Sequence, residues 1–179
     1  QVSLPGVIDP QWLGDQLWYF GVDGKSGDPA HRGGAHRIFS TPPERQRAAM
    51  PGLADPSPVR FSGRLYLFAT LFPNQVIAMA GEPLKELRRF SGVEVPFAFV
   101  DGGTLYLLAQ RSSGGDREPL LASSQDGTHW SPFLQVLPEG EVGPTPGTRA
   151  RARPALASCT SPVMGKQGAR WFLLCVEEK

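Results

Sequence analysis

Two carboxylates stand directly before a proline at the head of a short apolar run, Asp9 before Pro10 and Asp55 before Pro56. A carboxylate held at such a place can accept hydrogen bonds from hydroxyl groups or take up a proton. Glu94 stands in a related place, two residues before Pro96. Three other groupings raise the same question. Asp28, His31 and His36 combine a carboxylate with two imidazoles, a set able to hold zinc. The spacing of five between the histidines fits neither a helical turn nor alternating strand positions, so a solvated Gly-rich loop is expected and no metal. Ser123, Asp126 and His129 fall within one short segment and cannot form a separated nucleophilic triad. Arg149, Arg151 and Arg153 alternate, which in an extended chain would align three guanidinium groups to anchor carboxylates or sulfates; a hydrated loop is the plainer reading. Gly33-Gly34 and Gly114-Gly115 lack the Lys of a phosphate loop, and no cofactor is expected.

The elements that must position these groups are repeats. Four segments share one layout: DPQWLGDQLWYFG from Asp9, DPSPVRFSGRLYLFAT from Asp55, VPFAFVDGGTLYLLAQ from Val95 and SPVMGKQGARWFLLCV from Ser161. Each has a proline, a short apolar run, a glycine turn and a dense aromatic and aliphatic run, which together predict a β-hairpin. The prolines Pro10, Pro56, Pro96 and Pro162 are 46, 40 and 66 residues apart. The first two steps match the roughly 40–50 residue period of propeller blades. The longer third step contains 138–154, which reads as a flexible insertion rich in Pro, Gly and Arg.

Weaker runs after the hairpins, at Arg37-Ile38-Phe39, 75–79 and 119–122, predict a third strand, and 87–90 and 132–137 a fourth. The expected fold is all-β, a single partial β-propeller of about three and a half four-stranded blades, with units at about 8–53, 54–93, 94–154 and 155–179. Helix is expected at most over 42–50 and 82–89.

The 21 glycines and 18 prolines are spread between apolar runs, as many short strands and turns require. A net charge of +1 offers no field for nucleic acid, and no apolar run approaches the ~20 residues of a spanning helix. Cys159 and Cys175 lie symmetrically about Gln167, within the expected turn 165–168. Directly opposed strand residues are about 4.5–5.5 Å apart at Cα, close enough for a disulfide; two buried thiols are the alternative. A bridge would imply export, to an extracellular or periplasmic location.

In LASSQDGTHW, residues 121–130, the set Ser124, Asp126, Gly127 and Trp130 is similar to the blade-corner motif of the arabinanase, β-xylosidase and invertase propellers, which are five-bladed glycoside hydrolases. The Asp-Pro openings at Asp9 and Asp55 resemble the same family. The resemblance implies that Asp-Gly turns the chain between outer strands while Trp130 packs beneath the next blade. It implies that Asp9 matches the base or nucleophile of the first blade, with Glu94 as a second carboxylate if the register shifts by one. Asp55 and Trp12 become ligand-binding candidates, Trp12 as a stacking ring near the channel mouth or as a core residue. The family's acid has no match before Pro162, where Thr160 and Ser161 stand.

The expected function is therefore a non-catalytic propeller module that binds carbohydrate or a protein partner. Because the fourth unit stops at Lys179, a homodimer or a second chain is expected to complete the fold. The alternative is a glycoside hydrolase fragment or subunit with Asp9 as base or nucleophile.

Overall fold

The computed structural model describes residues 8–22, 36–40, 50–113, 116–136, 160–168 and 170–176. Among these residues every regular element is a strand. The first antiparallel sheet runs in chain order through β1 (Ile8–Leu13), β2 (Gln16–Val22), β3 (His36–Ser40) and β4 (Met50–Pro51). The second comprises β5 (Leu53–Phe61), β6 (Arg64–Leu71), β7 (Gln75–Ala80) and β8 (Lys85–Ser91). The third comprises β9 (Glu94–Asp101), β10 (Thr104–Ser113), β11 (Asp116–Ser124) and β12 (Leu134–Gln135). A hairpin of β13 (Thr160–Gln167) and β14 (Arg170–Val176) follows.

The hairpins have a local cause. Ser62-Gly63 and Gly102-Gly103 both carry positive φ at each residue, 49° and 75° in the first pair, 55° and 76° in the second. Two successive left-handed residues form the turn whose twist matches that of the flanking strands. The strands joined by these turns are antiparallel neighbours.

The stacking of the sheets is written in β6, which is buried along both faces. Side chains alternate across a strand. Accordingly Tyr66 and Phe68 join a core with Ala98, Leu105, Leu107, Ala109 and Leu120 of the third sheet. Leu65, Leu67 and Ala69 join another core with Trp18 of the first sheet. The second sheet is thus sandwiched between the first and the third. The first strand of each sheet lies beside its counterpart, β1 against β5, β5 against β9 and β9 against β13. Four-stranded antiparallel meanders stacked about a common line of first strands make an all-β partial propeller.

Three expectations change. Residues 82–89 are not helical, since β8 begins at Lys85 and pairs with β7. The last hairpin turns later than expected, because Gln167 pairs with Arg170 and Thr160 already faces Val176. Cys159, half of the expected disulfide, lies outside the described residues. Trp130 packs on the preceding sheet, against Phe68 and Phe90, instead of on the next one. The expected helix at 42–50, apart from Met50 in β4, and the insertion 138–154 with Arg149, Arg151 and Arg153 lie outside the described residues, as do Asp28 and His31.

Candidate functional site

Each sheet's first strand opens on the same irregularity. In β1 the register passes from Ile8 opposite Phe20 to Gln11 opposite Trp18, so Asp9 and Pro10 together face one partner residue. The same two-against-one step encloses Asp55-Pro56 in β5, Val95-Pro96 in β9 and Ser161-Pro162 in β13. These are β-bulges, and proline suits them because a bulged residue need not donate to the ladder. In two of these bulges the residue before proline has positive φ, 49° at Asp55 and 51° at Val95. Aspartate tolerates that region, whereas a β-branched valine is strained there.

The register settles which residues are equivalent. Asp9, Asp55, Val95 and Ser161 share one position, and Ile8, Ala54, Glu94 and Thr160 the one before it. The shift that would bring Glu94 level with the aspartates does not occur; Val95 stands there. Glu94 is half-buried and accepts a hydrogen bond from Gln110 Nε2 at 3.2 Å. Gln110 is itself buried in β10, directly opposite Glu94.

Two buried hydroxyls tie the second opening to the third. Thr70 Oγ1 accepts from Val95 N at 2.9 Å, and Ser57 Oγ accepts from Ala98 N at 2.7 Å. Each hydroxyl thus satisfies a backbone donor of the first strand of the third sheet. The openings bearing Asp55 and Glu94 are thereby aligned at one end of the stacked first strands. Asp9 opens β1, which lies against β5. Trp12 is elsewhere. It pairs with Leu17 beside the hairpin turn, about 10 Å along the strand from Asp9 at ~3.3 Å per residue, and its ring is 68% exposed. It is not a core residue.

The corner motif does something different. Gly127 N donates to Ser124 Oγ at 2.8 Å, while Thr128 N and His129 N each donate to Asp126 Oδ1 at 2.8 Å. His129 Nδ1 lies 2.7 Å from Asp126 Oδ2. The His129 side chain, the His129 backbone N–H and the Thr128 N–H, in that order, hold the Asp126 carboxyl far below the usual carboxylate range. A side chain at Gly127 would overlap the Tyr66 hydroxyl, and φ there is +76°. Trp130 then meets Phe68 and Phe90 edge to face, at 5.6 and 5.5 Å between centroids. This constellation of Ser, Asp and His forms a turn, and the Trp130 that follows it a staple between sheets.

Of the sequence-predicted candidates, Asp55 and Glu94 lie together at the strand openings, and Asp9 heads β1. Gln110 was not singled out from sequence. Its signal there was a lone amide closing the apolar run TLYLLAQ, 104–110. No group of three or more potential metal ligands occurs among the described residues.

No protein-family profile and no curated protein matches the chain. Solved structures that it is similar to include an exo-β-1,3-galactanase from Phanerochaete chrysosporium, 13% identical over 67% of this chain and 32% of that one, with a TM-score of 0.47. An endo-1,4-β-xylanase from Bacteroides thetaiotaomicron is 14% identical over 93% of this chain and 64% of that one, with a TM-score of 0.47. An α-L-arabinanase from Cellvibrio cellulosa is 14% identical over 70% of this chain and 53% of that one, with a TM-score of 0.41. The chain spans about a third to two thirds of the length of these proteins.

Proposed function

We propose that this chain is a carbohydrate-binding propeller module whose site is the end of the stacked first strands, with Asp9, Asp55 and Glu94 as acceptors for sugar hydroxyls. The observation that carries this reading is the repeated bulge, which sets Asp9 and Asp55 at one position in adjacent sheets. Carboxylates so placed can each accept from neighbouring hydroxyls of a saccharide. The names of the similar solved structures, all enzymes of polymeric glycans, agree with that ligand class.

The module is non-catalytic on this reading. Cleaving a glycosidic bond takes an acid and a base or nucleophile across the scissile bond. Val95 and Ser161 fill the equivalent openings of the third and fourth sheets, and neither can serve as a carboxylic acid. Association with a second copy or another chain, and a location outside the cytoplasm, belong to the same proposal.

Calorimetry with arabino-, xylo- and galacto-oligosaccharides tests it. Binding by the wild type is expected, falling at least tenfold in Asp55→Asn and unchanged in Trp12→Ala. Equal affinity in Asp55→Asn would remove the opening from the site. Hydrolysis of aryl glycosides by wild type, releasing the aryl alcohol, that disappears in Asp9→Asn would establish the hydrolase alternative, with Asp9 as its base or nucleophile.

A further inference from the structure

Gln110 poses a packing problem. It is 2% exposed, in the middle of a sheet, and its Oε1 has no hydrogen-bond partner. Burying an amide oxygen without a partner costs on the order of 1–3 kcal/mol. The corresponding places in the other sheets, opposite the residue before the bulge, are Phe20, Thr70 and Val176. Two of these three residues, Phe20 and Val176, are apolar types. Thr70 is polar for a reason already described, since it accepts the Val95 N–H. Packing thus has no need of an amide at 110. What Gln110 supplies is one donor, Nε2, to Glu94 Oε1.

We infer that Gln110 is a positioning residue for Glu94, fixing this carboxylate so that the third sheet presents an acceptor from the place before its bulge, where the first and second present one from within it. The inference rests on the carbohydrate reading above. In the third sheet the bulge position is occupied by Val95, which can neither accept nor donate through its side chain. An unrestrained glutamate has three rotatable bonds, and each fixed rotamer-rich side chain otherwise takes roughly 0.5–1.5 kcal/mol from a binding event. A donor that orders Glu94 before the ligand arrives removes part of that cost. The donor works from a buried site and does not itself reach the ligand.

The test is a double-mutant cycle of Gln110→Met and Glu94→Gln, read by oligosaccharide affinity and by urea unfolding. Methionine keeps the length and removes the orphaned oxygen. Gln110→Met is expected to leave stability equal or higher while weakening affinity about tenfold, the effect of losing one hydrogen bond to a charged group. In the Glu94→Gln background the same substitution is expected to change affinity by less than about twofold, because coupled residues are not additive. Wild-type affinity in Gln110→Met, or an equal loss in both backgrounds, would overturn the inference. A loss of affinity matched by a loss of stability would overturn it too, as a packing effect.

A readout independent of any sugar separates this inference from the reading it rests on. The side-chain amide resonance of Gln110 is expected to be protected from solvent exchange in the wild type and to shift in Glu94→Ala. If no oligosaccharide binds but that shift is seen, the carbohydrate reading fails and the Glu94 to Gln110 coupling stands. If the resonance is indifferent to Glu94, the inference fails whatever the sugar result.

Discussion

The third sheet carries two polar constellations that behave in opposite ways. At its corner, Ser124 and Asp126 accept from the backbone of their own turn, His129 sits against the Asp126 carboxylate, and Trp130 packs against the second sheet. At its opening, Val95 is held at φ 51°, Gln110 keeps an orphaned oxygen, and Glu94 remains half-buried at the end of the first strands. The corner satisfies its polar groups and resists change; the opening tolerates strain and incomplete pairing. Strain and unsatisfied groups persist where the surrounding structure over-determines them, and they cluster at functional sites. The difference separates a motif that builds the fold from the one proposed as the ligand site.

The largest expected effect is at the corner. Gly127→Ala puts a side chain into the Tyr66 hydroxyl and a Cβ at φ +76°, and is expected to cost about 3 kcal/mol in urea unfolding. Oligosaccharide affinity of the folded protein should stay within about twofold, since the corner holds none of the proposed acceptors. A selective loss of affinity would erase the distinction drawn between the two constellations.

Next comes the link between the sheets. Thr70 is fully buried, and Thr70→Val keeps its shape while orphaning the Val95 N–H. A loss of about 2 kcal/mol is expected in the same unfolding measurement. A neutral result would mean that the third opening does not depend on the second sheet for its alignment.

A smaller effect of opposite sign sharpens the picture of the opening. Val95 and Asp55 share position and backbone, but valine pays a steric penalty that aspartate and asparagine largely avoid. Val95→Asn is expected to raise stability by roughly 1 kcal/mol, visible as a higher urea midpoint. An unchanged or lower midpoint would show that the bulge is not strained by its side chain.

The smallest effect concerns pH. The Asp126 carboxyl is held below its ordinary value by the hydrogen bonds of His129 and Thr128, so its protonation is less favourable in the folded chain than in the unfolded one. Its contribution is complete above the unfolded carboxylate value of ~3.9 and is lost progressively as pH falls below it. Unfolding midpoints measured from pH 6 down to pH 3 should therefore decline less steeply in Asp126→Asn than in the wild type. Parallel curves would remove Asp126 from the acid response. The group is exposed, so the effect is modest.

Much of the architecture was legible because its determinants are local. The turns at Ser62-Gly63 and Gly102-Gly103, and the apolar runs on either side, specify hairpins whatever surrounds them. Residues 82–89 misled for the complementary reason. Lys85, Glu86, Leu87, Arg88 and Arg89 are good helix formers, and only pairing with β7 holds them extended. The turn of the last hairpin misled because a glycine pair at 165 and 168 does not say which of the two takes the bend; the chain turns after Gln167.

The candidate site divides along the same line. Sequence alone determined that Asp9 and Asp55 head equivalent strands, since Asp-Pro followed by a hairpin is a pattern of adjacent residues. It also determined the corner, whose hydrogen bonds span three residues or fewer. Only the tertiary structure decided that the one-residue shift for Glu94 does not occur, that Glu94 finds a donor in Gln110 sixteen residues away, and that Tyr66 closes over Gly127 from another sheet. Those outcomes depend on strand register and on how sheets stack, and a shift of one residue, invisible in local composition, would exchange the two faces of a strand.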